Sequence, residues 1–274
     1  MKLRFDRPVL GIACTGFALS LAFSFLILPH IAGTHNVNLD ADANGALASN
    51  TYAGAGMKYD PSGPPALDRG PVYPYLVAAL FSLSGGYALG VVQVFQALLH
   101  SATTVLVFLI GMHVYDRATA LRAQLLCAVH PILLWYTGRI WMETTLVFMV
   151  TLTALAALAL YRRLTLVKAL GAGAAMGVAS LTKSVVMLFP LLLLVLLLQR
   201  HRIKGLQHGL VVIAVCGLVI LPWTMRNYRI AEAFVPVQTS LGFNMIQGDV
   251  IGEHWPKQWC CNLDFWRMGQ ARVD

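Results

Sequence analysis

Apolar residues dominate seven long stretches of the chain, at about residues 9–28, 89–112, 118–136, 141–160, 167–181, 185–198 and 209–223. A bilayer core about 30 Å thick requires roughly 17–25 helical residues to cross it. Within lipid the backbone must satisfy its own polar groups, which a helix does inside one segment. The pattern therefore predicts an all-α integral membrane protein of about seven transmembrane helices. The stretch at 71–84 departs from the series: it is apolar, but about 14 residues are too few to span. It reads as an interfacial helix belonging to the first external loop. Pro71 and Pro74 suit its first turn, where missing amide hydrogens leave nothing unpaired, and Gly85-Gly86 closes it. Thr182-Lys183-Ser184 separates two short runs. One continuous helix would hold Lys183 at mid-membrane at about 2.5–3.5 kcal/mol or more, so a tight turn is expected there.

Composition agrees with a membrane bundle. The chain is 58% hydrophobic and 12% charged, with mean hydropathy +0.67; a soluble domain carries about 25% charged residues. The formal charge of +8 lies in short clusters between the apolar runs, without basic–aromatic interleaving. It therefore reports topology, and a nucleic-acid partner is not expected. Lys2, Arg4 and Arg7 precede a first run longer than the roughly 7–15 apolar residues of a signal peptide. That run is expected to be an uncleaved helix with its N-terminus in the cytoplasm, on the side of the basic clusters at 161–168 and 199–208. Two regions follow: a bundle over 1–223 with its first external loop at 30–87, and an external tail at 224–274. Cys14, Cys127 and Cys216 fall inside apolar runs and behave as small hydrophobes. Cys260 and Cys261 lie in a polar region, and no His/Cys spacing indicates a metal.

The first external loop concentrates the candidate chemistry. It carries Asp40 and Asp42 and ends in Asp68-Arg69-Gly70-Pro71-Val72-Tyr73-Pro74-Tyr75. Carboxylates at the membrane surface are placed to act on a substrate anchored in lipid. Arg69, Arg139, Lys183 and Arg226 map to helix ends on the same side, and Arg and Lys are the usual partners of phosphate. Arg139 and Glu143 are four apart and share a helix face. They form either a structural ion pair or a device by which Glu143 orients an acceptor or a phosphate-binding cation.

Several of these segments, in order, resemble a known family. Asp40, Ala48, Asn50, Tyr52, the glycines at 54 and 56, and Arg69-Gly-Pro-Val-Tyr-Pro-Tyr are similar to the first external loop of GT-C glycosyltransferases that use polyprenyl-phosphate sugars. The nearest branch is the dolichyl-phosphate-mannose protein mannosyltransferase and aminoarabinose transferase family. The likeness continues at His130-Pro131, at Arg139-Ile-Trp-Met-Glu143-Thr, at Gly173 to Ser184, at Leu221-Pro-Trp-Thr-Met-Arg-Asn-Tyr228, and at Phe234-Val-Pro-Val. The resemblance implies a membrane glycosyltransferase that inverts the anomeric carbon on the extracytoplasmic side of a bacterial inner (plasma) membrane. It implies Asp40 as general base, with Asp42 the alternate. Lys183, Arg226 and Arg69 are then the cations for the leaving phosphate, and Tyr73, Arg139, Glu143 and Asn227 complete the substrate-binding set. The donor would be a polyprenyl-phosphate-linked sugar and the acceptor a lipid, glycan or protein, with no cofactor and no metal. Family members are generally longer, which leaves a fragment, a short homologue or a prematurely ended product as readings of the length.

Two rivals define the alternatives. A transporter predicts charges midway along helices and internal two-fold repetition, and neither is found in the sequence. A non-catalytic lipid-binding or assembly subunit would keep the scaffold without turnover, and stands as the second reading.

Overall fold

The computed structural model describes residues 6–35, 39–40 and 43–239. They form helices joined by short connections: α1 (Arg7–Ala22), a π-helical turn Phe23–Ile27, α2 (Leu28–His35), α3 (Asn44–Tyr52), α4 (Val72–Ser84), α5 (Leu89–Val114), α6 (Arg117–Ala128), α7 (Pro131–Thr137), α8 (Glu143–Arg162) and α9 (Leu166–Thr182). A 3₁₀ turn Ser184–Leu188 then leads into α10 (Phe189–Ala231). No strand occurs among the described residues.

Among the described residues, four helical stretches are long and apolar enough to cross a membrane: Arg7–Gly33, Leu89–Val114, Glu143–Arg162 and Ser184–Ala231. The pair α6–α7 makes a fifth if its 51° bend is taken as one broken span. By that measure the chain falls short of the expected seven, for three physical reasons. Pro131 supplies no amide hydrogen and holds His130 extended, at φ −67 and ψ 118, which breaks the run at 118–136. Helix α9 has 17 residues, about 26 Å at 1.5 Å per residue, slightly less than the bilayer core. The third reason lies in α10, where two expected runs share one element. At Arg202 the backbone leaves helical geometry (φ 55, ψ −131). Gly205 there packs against the Leu197 carbonyl and Gly209 against Leu194. In a straight helix residues eight apart lie about 12 Å from each other, so the chain doubles back at Arg202.

Backbone contact between α9 and the second half of α10 fixes their spacing. A Cβ on Gly173 would lie 2.7 Å from the Val212 carbonyl oxygen, and one on Gly177 would lie 2.7 Å from Val219 Cβ. The small-x-x-x-small seam lets two backbones approach where lipid offers no hydrophobic drive. Leu160, Ala169, Met176, Leu193, Leu197 and Val212 fill the space between α8, α9 and α10. Leu192, Val195, Leu196, Leu218 and Leu221 of α10 remain exposed, as a lipid-facing surface requires.

At one end of the bundle Asp6 pairs with Arg117, and His201 Nε2 bonds the Tyr161 carbonyl at 2.8 Å. The other end is covered by the 39–87 loop. Helix α4 measures 13 residues, about 20 Å, and stops at Gly85 in the left-handed conformation (φ 74). Tyr73, Val77 and Phe81 of α4 bury against Ala48, Val92 and Ile140. The loop thus has a core of its own, seated on α5 and on the α7–α8 connection.

Candidate functional site

Asp40 stands at the start of α3. Its carbonyl accepts the Ala43 amide at 3.0 Å, and the Gly45 amide donates to Oδ1 at 3.0 Å and to Oδ2 at 2.9 Å. First-turn amides have no partner within their helix and lie at its positive end, so a carboxylate is favoured there. Glycine at 45 leaves room for the carboxylate, because a Cβ would lie 2.6 Å from Asp40 Oδ2 and displace it. One residue earlier, the Leu39 carbonyl accepts the Ile140 amide at 2.9 Å, which ties the loop to the α7–α8 connection. Tyr87 lies close enough for the Asp40 charge to act on it. Burial first, and then that charge, raises the phenol above its usual pKa.

The connection that receives Asp40 is held from α5. Gln93 Nε2 donates to the Gly138 carbonyl at 2.9 Å, and Gln96 Nε2 donates to those of Thr137 and Arg139 at 3.1 and 2.6 Å. Tyr73 is fully enclosed, and its hydroxyl donates to Gln96 Oε1 at 3.2 Å. The Arg139 guanidinium is buried 3.8 Å from the Trp141 ring centroid and 5.3 Å from that of Trp135, within cation–π range.

Glu143 opens α8, and its Oε1 lies 3.5 Å from Lys183 Nζ. Lys183 is extended (φ −151, ψ 123) in the break after α9, and its side chain is partly exposed. Gly70, just after the half-buried Arg69, packs directly on the Leu181 carbonyl, and a Cβ there would also meet the Thr182 carbonyl oxygen at 3.0 Å. Arg226 comes from the end of α10. Its Nη1 donates to the Ala66 carbonyl at 3.1 Å and to Asn227 Oδ1 at 3.0 Å, and its guanidinium lies 4.3 Å from the Trp223 ring. Asn227 is buried, and its Nδ2 donates to the carbonyls of Val235 and Val237 at 3.2 and 3.0 Å. The Thr239 amide in turn donates to the Leu67 carbonyl at 2.9 Å.

These bonds bring Asp40, Arg69, Arg139, Glu143, Lys183 and Arg226 to one end of the bundle. Tyr73 and Asn227 sit beneath them as enclosed supports. Asp42 lies outside the described residues. Several buried polar atoms in the same region have no hydrogen-bond partner among the described residues: both amide atoms of Asn44, Trp141 Nε1, Glu143 Oε2 and Thr144 Oγ1. Buried polar groups are nearly always paired, so this gathering is unusual. Among the described residues no three His, Cys, Asp or Glu are placed to share a metal ion.

Some residues escaped sequence reasoning. Gln93 and Gln96 carried a usable signal, two amides three apart on one face of an apolar helix. Gly45, Tyr87 and the stacking of Trp135 and Trp141 on Arg139 depend on contacts between distant segments, and no local pattern announces them.

A family model for dolichyl-phosphate-mannose-protein mannosyltransferase matches residues 68–225, more than half of the chain. The chain belongs to that family of membrane glycosyltransferases. Arg69, Tyr73, Arg139, Glu143 and Lys183 fall within the match, while Asp40, Arg226 and Asn227 fall outside it. No curated relative matches the chain.

Proposed function

We propose that the protein transfers a sugar from a polyprenyl-phosphate donor to an acceptor hydroxyl or amine, inverting the anomeric carbon, with Asp40 as general base. The acceptor oxygen or nitrogen bonds to the anomeric carbon as the bond from that carbon to the phosphate oxygen breaks. The acceptor's proton passes to Asp40, and polyprenyl phosphate leaves with the electron pair. A base must come within about 2.6–3.2 Å of the proton it takes, and the Gly45 amide fixes the carboxylate for this. The charge developing on the phosphate is met by Lys183 and Arg226, with Arg69 beside them. Preorganised cations in a partly dry site stabilise such charge strongly.

The observation that carries this reading is the connected path from base to cation. Leu39, next to Asp40, bonds Ile140; Glu143, three residues on, pairs with Lys183. A carboxylate in the external loop and a cation in a helix break thus share one end of a membrane bundle.

The same reading sets orientation. Arg117, Arg122, Arg162, Arg163, Lys168, Arg200, Arg202 and Lys204 belong to the opposite end. Short loops rich in Lys and Arg stay in the cytoplasm, so Asp40 faces away from it, across a bacterial inner (plasma) membrane. The bundle over 1–223 then carries the loop 30–87 externally, while most of the expected external tail at 224–274, from residue 240 on, lies outside the described residues.

The test is Asp40→Asn in purified protein, supplied with polyprenyl-phosphate sugars and acceptor extract. Release of polyprenyl phosphate should fall by at least about a hundredfold, while the lipid donor still binds. Unchanged release would remove Asp40 as base, and no release by the wild type from any such donor would favour the non-catalytic lipid-binding subunit.

A further inference from the structure

The end of the bundle away from Asp40 holds an open cavity of about 450 Å³ lined by Val114, Leu158, Tyr161, Arg162 and Arg200. Three helices build it: the last residue of α5, the final turns of α8, and α10 just before its reversal at Arg202. The α10 side is anchored, because His201 Nε2 bonds the Tyr161 carbonyl at 2.8 Å and the Arg200 guanidinium lies 4.8 Å over the Tyr161 ring. Its lining combines two aliphatic residues, Val114 and Leu158, with two cationic ones, Arg162 and Arg200.

Neither arginine forms an ion pair among the described residues. The described carboxylates at this end are engaged elsewhere: Asp6 with Arg117, and Asp116 with the amide and hydroxyl of Thr119. Basic residues that only mark topology need no shared hollow, since each can reach water by itself. Here two arginines from different helices line one cavity, beside Val114 and Leu158. Phosphate suits two guanidinium groups, and the aliphatic wall suits the first methylenes of an acyl chain. A soluble anion has no use for that wall.

We propose that this cavity binds the headgroup phosphate of an anionic membrane phospholipid, with Arg162 and Arg200 as its charged partners. Basic hollows between membrane helices commonly take such headgroups. The site stands apart from the sugar-transfer reading, because it lies at the other end of the bundle and shares no residue with it.

Native mass spectrometry of the full chain, released from micelles holding equal amounts of phosphatidylglycerol and phosphatidylcholine, tests the assignment. Phosphatidylglycerol should be retained preferentially. The double substitution Arg162→Gln with Arg200→Gln should weaken its retention about thirtyfold. Arg122→Gln with Lys204→Gln removes equal charge at the same end and should leave retention within about twofold. Leu158→Trp keeps both charges while filling the cavity and should also weaken retention, which covers the case of a double variant that does not fold. Equal retention of the two lipids, equal loss in both double variants, no loss in Leu158→Trp, or displacement by inorganic phosphate as readily as by lipid would each overturn the proposal.

Discussion

Lys183 Nζ stands 3.5 Å from Glu143 Oε1, joining the residue that interrupts the helical path after α9 to the residue that begins α8. The pair is too exposed to be a large source of stability, since surface ion pairs contribute about 0–1 kcal/mol. Its value lies in aim. Glu143 is favoured by the positive end of its own helix and draws the lysine across the same end that carries Asp40. A cation held in advance needs no reorganisation when the leaving phosphate acquires charge.

Lys183→Gln is therefore expected to lower turnover by about 10²–10³, as loss of one charge-stabilising donor does. Its melting temperature should stay close to that of the wild type. Glu143→Gln leaves the lysine in place but less constrained, and a smaller loss of about tenfold is expected. Single-turnover release of polyprenyl phosphate, measured alongside thermal unfolding, separates the two effects. Wild-type turnover in Lys183→Gln would show that another group meets the phosphate.

Gly45 supplies a sharper probe of the proposed base than removal of the carboxylate itself. A methyl group at 45 would crowd Asp40 Oδ2 at 2.6 Å, while the charge and the helix remain. In Gly45→Ala, turnover should drop by about a hundredfold, because a displacement near 1 Å is enough for that loss. Donor affinity should change little, since the cations lie on other segments. The comparison of kcat with KM decides: a rise confined to KM would mean that Asp40 serves binding and not proton transfer.

The helices and their membrane character were legible because they depend on local pattern. Runs of apolar residues, Pro71 and Pro74 at a helix start, and Gly85 at a helix end all act within a few residues. The span count was less legible. Pro131 lies inside the run at 118–136, and it bends the helix through its missing amide and its restriction of His130. The candidate site was visible as a list of charges, since polar residues stand out against lipid-compatible sequence. Their arrangement was not, because it rests on pairings such as Leu39 with Ile140 and Ala66 with Arg226. Asn227 illustrates the difference: beside Arg226 it read as a substrate contact, and in the fold its amide clamps the Val235 and Val237 carbonyls.

Asp116 offers a pH-dependent check on the end of the bundle opposite the site. Its carboxylate caps α6, accepting the Thr119 amide and hydroxyl at 3.0 and 2.9 Å, and these bonds hold its pKa below the usual 3.8. A depressed folded-state pKa stabilises the protein above the unfolded value, and that contribution disappears as pH falls through the folded one. Asp116→Ala should therefore melt below the wild type at neutral pH, and the gap should narrow once pH drops under about 3.8. A gap that widens in acid would contradict the capping role.

Gly70 is where the external loop touches the helix that presents Lys183. It packs on the Leu181 carbonyl, and a side chain would also meet the Thr182 carbonyl oxygen at 3.0 Å. Both are backbone atoms at the end of α9, so neither can swing aside as a flexible side chain would. Gly70→Ala must push the loop away from α9, carrying Arg69 with it and changing the distance from the loop to Lys183. Asp40, anchored separately through Leu39 and Gly45, should keep its place. The expected result is a drop in donor affinity of about tenfold or more, with the bundle still folded. Titration of the purified variant with a polyprenyl-phosphate sugar reads that affinity directly, and circular dichroism reports the helices. Wild-type affinity in Gly70→Ala would mean that the loop and the end of α9 do not grip the donor together.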